Sequence, residues 1–198
     1  MLSSAYRLTR PAVHRFQAVA FTILCVQFDV RDFRREDFTT LYQIDQLCFP
    51  KGIAYTRFEL AFYMRRQGAF TLVASVRAAQ STKASNKSKP PDPLIAGFIV
   101  AETRKKLGHI ITIDVLEAYR RHRLGSLLLS AAEHRLVASG STEVELETAV
   151  DNAPALAFYR RHNYVQIKTL PGYYANGVDA LVMKKSLLPL PGTATFPT

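Results

Sequence analysis

One stretch narrows the fold more than any other. The β-branched run Ile110–Leu116 reads as a strand, and the apolar-striped run Arg123–Ser139 reads as a helix. A short arginine-rich turn joins them. Strand, turn and helix in close succession open a layered α/β fold. Leu124, Leu127, Leu128, Ala131 and Leu136 make the helix's apolar stripe, and Gly140 is placed to end it. Thr142–Ala149 then alternates strictly, with Val144, Leu146 and Thr148 on one face and Glu143, Glu145 and Glu147 on the other. Asp151 or Asn152 can cap a further helix with Pro154 in its first turn, running to about His162.

The flanking chain fits the same plan. Phe28–Arg31 reads as a short strand and Arg35–Leu47 as a helix, ended by Phe49-Pro50. Arg57–Arg66 reads as a second helix, with Thr56 and Glu59 as a capping box. Phe70–Val76 and Leu94–Ala101 read as strands on either side of Gln80–Pro93, a Ser/Lys/Asn/Pro-rich insert with almost nothing to bury. A long hairpin loop inside one domain fits this insert better than a domain boundary. Tyr164–Thr169 and Val178–Lys184 read as the last two strands. The expected order is strand, two helices, three strands, helix, strand, helix, two strands. This is a mixed α/β sheet with helices on both faces.

Length and composition bound the class. A chain of 198 residues favours one domain with tails. The domain is expected over residues 28–186, between a basic extension (1–27) and a Pro/Thr-rich tail (187–198). Hydrophobic content of 48% with 21% charged residues marks a globular chain, neither disordered nor membrane-embedded. Residues 1–27 carry Arg7, Arg10 and Arg15 and no acid, and their apolar run is too short to span a bilayer. A loosely docked extension or an upstream start fits them best; a targeting segment and an interaction arm are the alternatives. The net charge of +10 fits a solvated basic surface or attraction to phosphates, RNA or an acidic peptide. No zinc-finger spacing or aromatic-glycine RNA motif accompanies it, so sequence-specific nucleic-acid binding is not expected. Cys25 and Cys48 form no C-x-x-C pair, which suits a reducing cytoplasm. The five histidines show no metal-ligand spacing, so no metal is expected. A monomer or weak dimer is expected.

The turn before the long helix can hold an anion. The first N–H groups of a helix have no partner, and the helix dipole adds about half a positive charge there. Arg120, Arg121 and Arg123 surround the point, and Gly125 lets the backbone come close to a ligand. Taken alone, the same residues also describe a basic, solvated helix start.

The wider pattern resembles the acetyl-CoA motif of the GNAT superfamily of N-acetyltransferases. Ile113-Asp114-Val115 stands where the family's strand pairs its backbone with the pantetheine arm. Arg120 through Ser126 stands where the family has Q/R-x-x-G-x-G/A, with Arg120 first, Gly125 last and Arg123 in place of the usual first glycine. Leu146-Glu147-Thr148-Ala149-Val150-Asp151-Asn152, continuing to Ala155, Leu156 and Tyr159, resembles the family's L-E-V-x-x-x-N…A…L-Y segment. The likeness is strongest to the ribosomal-protein-alanine N-acetyltransferases of the RimI type and covers roughly Phe28 to Lys185. It implies a GNAT fold, with a mixed central sheet of about six to seven strands flanked by about four helices. It implies acetyl-CoA as co-substrate, bound by Ile113, Asp114, Val115, Arg120, Arg121, His122, Arg123, Leu124, Gly125, Ser126 and Asn152.

Chemistry then assigns roles. The acceptor amine must be neutral before it attacks a thioester. A peptide α-amine, with a pKa of about 7.7–8, has a useful neutral fraction near pH 7, and a lysine at about 10.4 has little. Glu147 is the expected general base, and Tyr159 the expected acid toward the leaving thiolate. Seven residues separate Asn152 from Tyr159, nearly two helical turns, so both share one face. A solvated Glu147 and a core Tyr159 are the bland alternatives. Phe49-Pro50 with Tyr55, and the pair Tyr173-Tyr174, resemble the two aromatic walls of the peptide slot in protein N-terminal acetyltransferases. The acceptor implied is a protein N-terminus, by resemblance that of a ribosomal protein. A small-amine acetyltransferase and an inactive CoA-binding regulator are the competing readings.

Overall fold

The structure is a computed structural model that describes residues 26–77 and 94–188. The expectations for the basic extension, the insert and the tail fall on residues outside that range. Seven strands are β1 (Phe28–Asp32), β2 (Ala69–Val76), β3 (Ile95–Arg104), β4 (Leu107–Val115), β5 (Glu143–Ala149), β6 (Val165–Leu170) and β7 (Ala180–Ser186). Four α-helices are α1 (Phe38–Cys48), α2 (Arg57–Met64), α3 (Leu124–Ala138) and α4 (Ala153–Arg161). Their order along the chain is the one the sequence patterns predict. One sheet runs β1-β2-β3-β4-β5-β7-β6. Every neighbouring pair is antiparallel except β4 and β5.

The sheet has a core on each face. Against α3 and α4 lie Phe70, Leu72, Ala74, Ile99, Ile110, Val144, Leu146 and Met183. Against α1 and α2 lie Val73, Ile95, Phe98 and Val100, closed by Leu41, Ile44 and Leu60. Successive residues of β2 thus serve opposite cores, as the period of two requires. Each fully buried Leu or Ile contributes roughly 1.5–3 kcal/mol. α2 starts with the expected capping box: Glu59 N–H donates to Thr56 Oγ1 at 3.2 Å, and Thr56 N–H donates to Glu59 Oε2 at 2.8 Å.

Three expectations change. Leu127 faces outward at 41% exposure, and Leu129 and Ala132 join the buried stripe of α3 instead. α3 begins at Leu124 rather than Arg123, because Arg123 takes a left-handed conformation with φ 63° and serves as N-cap. The largest change is at β3 and β4. The sequence suggests strands ending at Ala101 and starting at Ile110. The structure extends both to a tight turn at Lys105-Lys106, with Lys105 at φ 60°. That places Glu102 directly opposite His109. Among the described residues, no helix is long and apolar enough to cross a membrane.

Candidate active site

The site begins where two parallel strands part. β4 and β5 pair only from Leu107–Ile110 to Glu143–Leu146. Beyond that β4 runs on to Val115 and β5 to Ala149 without pairing each other. A bulge against β3, between Val100 and Ala101, skips Ile111 at the point of divergence. The result is a wedge open at the C-terminal ends of both strands. The chain turns from each of these ends toward a helix, α3 after β4 and α4 after β5.

The free edge of β4 can be resolved by its hydrogen bonds. Leu116 N–H donates back to Ala96 in β3 at 3.0 Å, so by alternation Asp114 and Thr112 also turn their backbone groups toward β3. Val115 and Ile113 turn theirs into the wedge. Val115 C=O is engaged, accepting Arg120 Nε at 3.0 Å and the Cys48 thiol at 3.4 Å. Ile111 C=O accepts the Tyr55 hydroxyl at 3.2 Å. Ile113 keeps an unengaged edge. Asp114 therefore differs from the sequence expectation: its backbone faces a neighbouring strand, and its carboxylate is fully buried. Thr112 Oγ1 donates to Asp114 Oδ2 at 2.7 Å, while Oδ1 has no partner. Burial raises its pKa well above the ordinary carboxylate range, and the nearby Asp45 adds to this.

The arginine turn is wound tightly. A 3-10 turn, Glu117–Tyr119, leads through Arg120 to Arg121 at φ 66° and Arg123 at φ 63°. Arg123 thus holds a left-handed backbone of the kind a glycine adopts freely. The first turn of α3 contains no acidic side chain and no side-chain cap. Leu124, Gly125 and Ser126 therefore present uncapped N–H groups beside Arg121, His122 and Arg123, all exposed. A side chain at Gly125 would meet the Phe158 ring only at an ordinary 3.4 Å, so the fold itself tolerates one there. Ser126 Oγ lies 2.9 Å from His162 Nε2.

Glu147 has a partner that sequence reasoning missed. Its Oε2 lies 2.7 Å from His109 Nε2. Both side chains are mostly enclosed, at 13% exposure for His109 and 19% for Glu147. His109 Nδ1 lies 3.5 Å from the buried Glu102, which also contacts Arg66 at 3.3 Å and Arg104. The missed hairpin at Lys105-Lys106 was the one available signal, because it pairs Glu102 with His109.

α4 supplies two more groups. Asn152 is its N-cap, with Oδ1 accepting Ala155 N–H at 3.2 Å, so only its NH₂ remains for a ligand. Tyr159 is 6% exposed and packs on Phe158 and Tyr164. Among the described residues its hydroxyl has no hydrogen-bond partner. Burial raises its pKa, with Asp114 and Tyr174 adding to the shift, so the group keeps its proton.

Two loops wall the open side. Phe49 ends α1 in extended conformation, and Pro50 C=O accepts Ile53 and Ala54 N–H to form the following turn. Tyr55 is clamped through its backbone: its N–H donates to Asp45 Oδ2 at 2.9 Å, and its C=O accepts Gln46 Nε2 at 2.7 Å. Its ring lies 5.2 Å from that of Tyr63. The loop between β6 and β7 carries Tyr173 and Tyr174, edge to face at 5.1 Å. Burial raises both hydroxyls' pKa values, and the charge of Glu147 adds to each shift. The two loops meet at Gly52, where an added side chain would press on Asn176 at 3.0 Å.

A wedge between parallel strands, an uncapped basic helix start and a carboxylate at the wedge's root have a known counterpart. Residues 38–164 match the acetyltransferase (GNAT) family. This chain belongs to that family. The acetyltransferase is 30% identical, over 81% of its chain and 93% of the relative's, to an N-alpha-acetyltransferase of Saccharolobus solfataricus. Its fold is shared with Ard1 from Thermoplasma volcanium, with TM-score 0.69 at 24% identity over 83% of this chain and all of that one. It is shared equally with the ribosomal-protein-S18-alanine N-acetyltransferase of Escherichia coli, with TM-score 0.65 at 19% identity over 86% of this chain and all of that one. The protein is an acetyl-CoA-dependent N-acetyltransferase. Among its described residues, no cluster of three or more His, Cys, Asp or Glu could hold a metal.

Proposed function

We propose that this acetyltransferase modifies the N-terminal α-amino group of protein chains, using Glu147 and His109 to take the acceptor's proton. The observation that carries this reading is the 2.7 Å Glu147–His109 pair, with Glu147 on the strand that pairs with β7, whose preceding loop carries Tyr173 and Tyr174. Bound acetyl-CoA supplies an acetyl group activated as a thioester. Its pyrophosphate would be held by the N–H groups of Leu124, Gly125 and Ser126 with Arg121, His122 and Arg123 beside them. Arg120 serves differently, bracing the turn through its bond to Val115 C=O. Ile113 offers the free backbone edge for the pantetheine arm, and Asn152 offers its NH₂.

The acceptor enters between Tyr55 and the pair Tyr173-Tyr174. Phe49 and Pro50 shape that wall by ending α1 and setting the turn. Glu147 takes the proton from the attacking nitrogen, and His109 shares it. Tyr159 keeps its own proton and donates a hydrogen bond to the leaving thiolate, which is a narrower task than full acid catalysis. No acyl-enzyme is needed, and Cys48 is unsuited to one: burial pushes its thiol up to about 11. The relative from Saccharolobus solfataricus, named an N-alpha-acetyltransferase, supports a protein N-terminus in general. A ribosomal protein is one acceptor within that class.

A panel of short peptides with different first residues, including ribosomal-protein N-termini, and of polyamines tests the reading. Acetylation of peptides at the α-amine is expected. Turnover of polyamines alone would replace it with a small-amine enzyme, and acetyl-CoA binding without turnover would replace it with a regulator.

A further inference from the structure

We infer that Glu102 is a positioning residue for acetyl transfer: it sets the His109 ring against Glu147 and supplies a second carboxylate for the imidazolium that forms there. This rests on the reading of Glu147 and His109 as the proton-accepting pair. Glu102 is 1% exposed, on β3, and is the register partner of His109 on β4. Its Oε1 lies 3.5 Å from His109 Nδ1, inside ion-pair range and outside good hydrogen-bond range. Arg66 reaches its Oε2 at 3.3 Å, and Arg104 reaches Oε1.

A buried carboxylate is costly unless it is paired, and an apolar residue of similar volume is often at least as stable. The two arginines do not explain the expense. Their side chains are 34% and 46% exposed, so water can solvate both without Glu102. The enclosed group that gains from this carboxylate is His109. A ring with one carboxylate at Nε2 and another across from Nδ1 is held in one orientation. As the neutral amine bonds to the acetyl carbon, its nitrogen sheds a proton and the Glu147–His109 pair gains it. The charge then rests as imidazolium between Glu147 and Glu102, and the new amide is left neutral.

The same contact reaches the acceptor wall. Arg66 follows α2, and its guanidinium lies 5.9 Å from the ring centres of both Phe62 and Tyr63. Tyr63 in turn packs on Tyr55. Glu102 therefore joins the proton-accepting pair to the helix behind the acceptor slot. The charged and titratable groups around His109 are Glu102 and Arg104 from β3, Arg66 after α2, and Glu147 with its register neighbour Glu145 from β5. The β6–β7 loop with Tyr173 and Tyr174 leads into β7, which pairs with β5 at Glu147.

The test is the pH profile of kcat with a peptide acceptor. Glu102→Gln removes the counter-charge and keeps the shape. It is expected to lower kcat about tenfold, short of the roughly 10²–10⁴-fold effect of a proton-handling group. KM for acetyl-CoA is expected to stay unchanged, and the acid limb is expected to move to lower pH, because one of the two carboxylates facing the His109 ring has lost its charge. Glu102→Asp keeps the charge and is expected to leave the limb in place. Arg104→Gln, at an exposed position, strips compensation from Glu102 and is expected to move the limb to higher pH, which tests the idea even if Glu102→Gln fails to fold. An acid limb unmoved in both Glu102→Gln and Arg104→Gln, or moved equally by Glu102→Asp and Glu102→Gln, would overturn the inference. His109→Gln and Glu147→Gln separate the two levels. If both keep wild-type kcat, the proton-accepting pair itself is wrong; if both lose activity while the Glu102 and Arg104 variants leave the profile unmoved, only the role of Glu102 is.

Discussion

Glu147 and His109 come together from 38 residues apart, on strands that are parallel neighbours. Enclosure makes their contact strong, since a charged hydrogen bond gains weight as water is excluded. Tyr159, proposed to face the leaving thiolate, has a hydroxyl that burial keeps protonated. The two roles predict different losses. Glu147→Gln is expected to lower kcat by roughly 10²–10⁴-fold, the range of a lost general base. Tyr159→Phe is expected to cost only about 10–100-fold, as a lost hydrogen bond to a charged group is worth about 1.5–3 kcal/mol. Steady-state rates with one peptide measure both, and KM for acetyl-CoA is expected to stay near wild type. Equal, near-wild-type rates in the two variants would leave these residues without a catalytic part.

The turn into α3 and the end of α1 are the elements that shape the two halves of the site. In the turn, Arg123 occupies a left-handed conformation that costs a non-glycine residue about 1–2 kcal/mol, against an entropy cost of about 0.5–1 kcal/mol for glycine. Arg123→Gly is therefore expected to match wild-type stability or exceed it by up to about 1 kcal/mol. Gly125→Ala is expected to fold normally, since its new methyl meets Phe158 at ordinary contact, while raising KM for acetyl-CoA. Thermal melts and acetyl-CoA titrations of the pair check this. A Gly125→Ala protein that binds acetyl-CoA as wild type does would remove the turn's backbone from the phosphate site.

At α1, burial lifts the Asp45 carboxyl from 3.8 to about 6, and the charge of Glu59 adds to the shift, against the bonds from Tyr55 N–H and Gln46. As pH falls, the folded chain therefore takes up a proton at Asp45 before the unfolded chain does. This group's stabilisation is gained as pH drops from about 6 to about 4, and it is absent above pH 6. Asp45→Asn copies the neutral carboxyl and still accepts Tyr55 N–H. It is expected to raise stability near pH 8 by about 1–3 kcal/mol and to show no advantage near pH 4. Denaturant melts at the two pH values measure the difference; an Asp45→Asn protein equally stabilised at both would contradict it.

The same elements show what could be read from sequence. Alternation in β5 marked Val144, Leu146 and Thr148 as the buried face, and the cap of α4 was narrowed to two residues, of which the structure selects Asn152. The Glu102–His109 contact was not legible. Its hairpin turns on Lys105-Lys106, without the Asn, Asp or Gly that usually betrays a two-residue turn. Charged residues at the ends of β3 and β4 read as loop, so both strands looked too short to reach the pair. The left-handed arginines were hidden for a similar reason, since nothing in an arginine announces a positive φ.

Among the described residues, one seven-stranded sheet carries the fold, and β4–β5 is its one parallel junction. Five antiparallel pairings flank the β4–β5 junction, three on the β1–β4 side and two on the β5–β7–β6 side, with α3 and α4 over one face and α1 and α2 over the other. The parallel junction pairs over only four residues of each strand before it opens. Everything assigned to cofactor or acceptor lies at that opening: the α3 start, Ile113, Asn152, Tyr159, Glu147 with His109, and the two aromatic loops. With the proposed acetyl donor and amine in one wedge, a direct transfer is expected. The proposed carboxylate–imidazole pair suits a peptide α-amine, whose neutral fraction near pH 7 is far larger than a lysine's.

Two peptides decide the matter. They share one sequence with one internal lysine; the first has a free α-amino group, and the second has that group blocked. Incubated with acetyl-CoA and the full chain, and followed by mass spectrometry at pH 7.0, roughly neutral, the first is expected to gain one acetyl group at its N-terminus and the second none. Acetylation of the lysine in the blocked peptide at a comparable rate would contradict an N-terminal α-amine as the substrate of this enzyme.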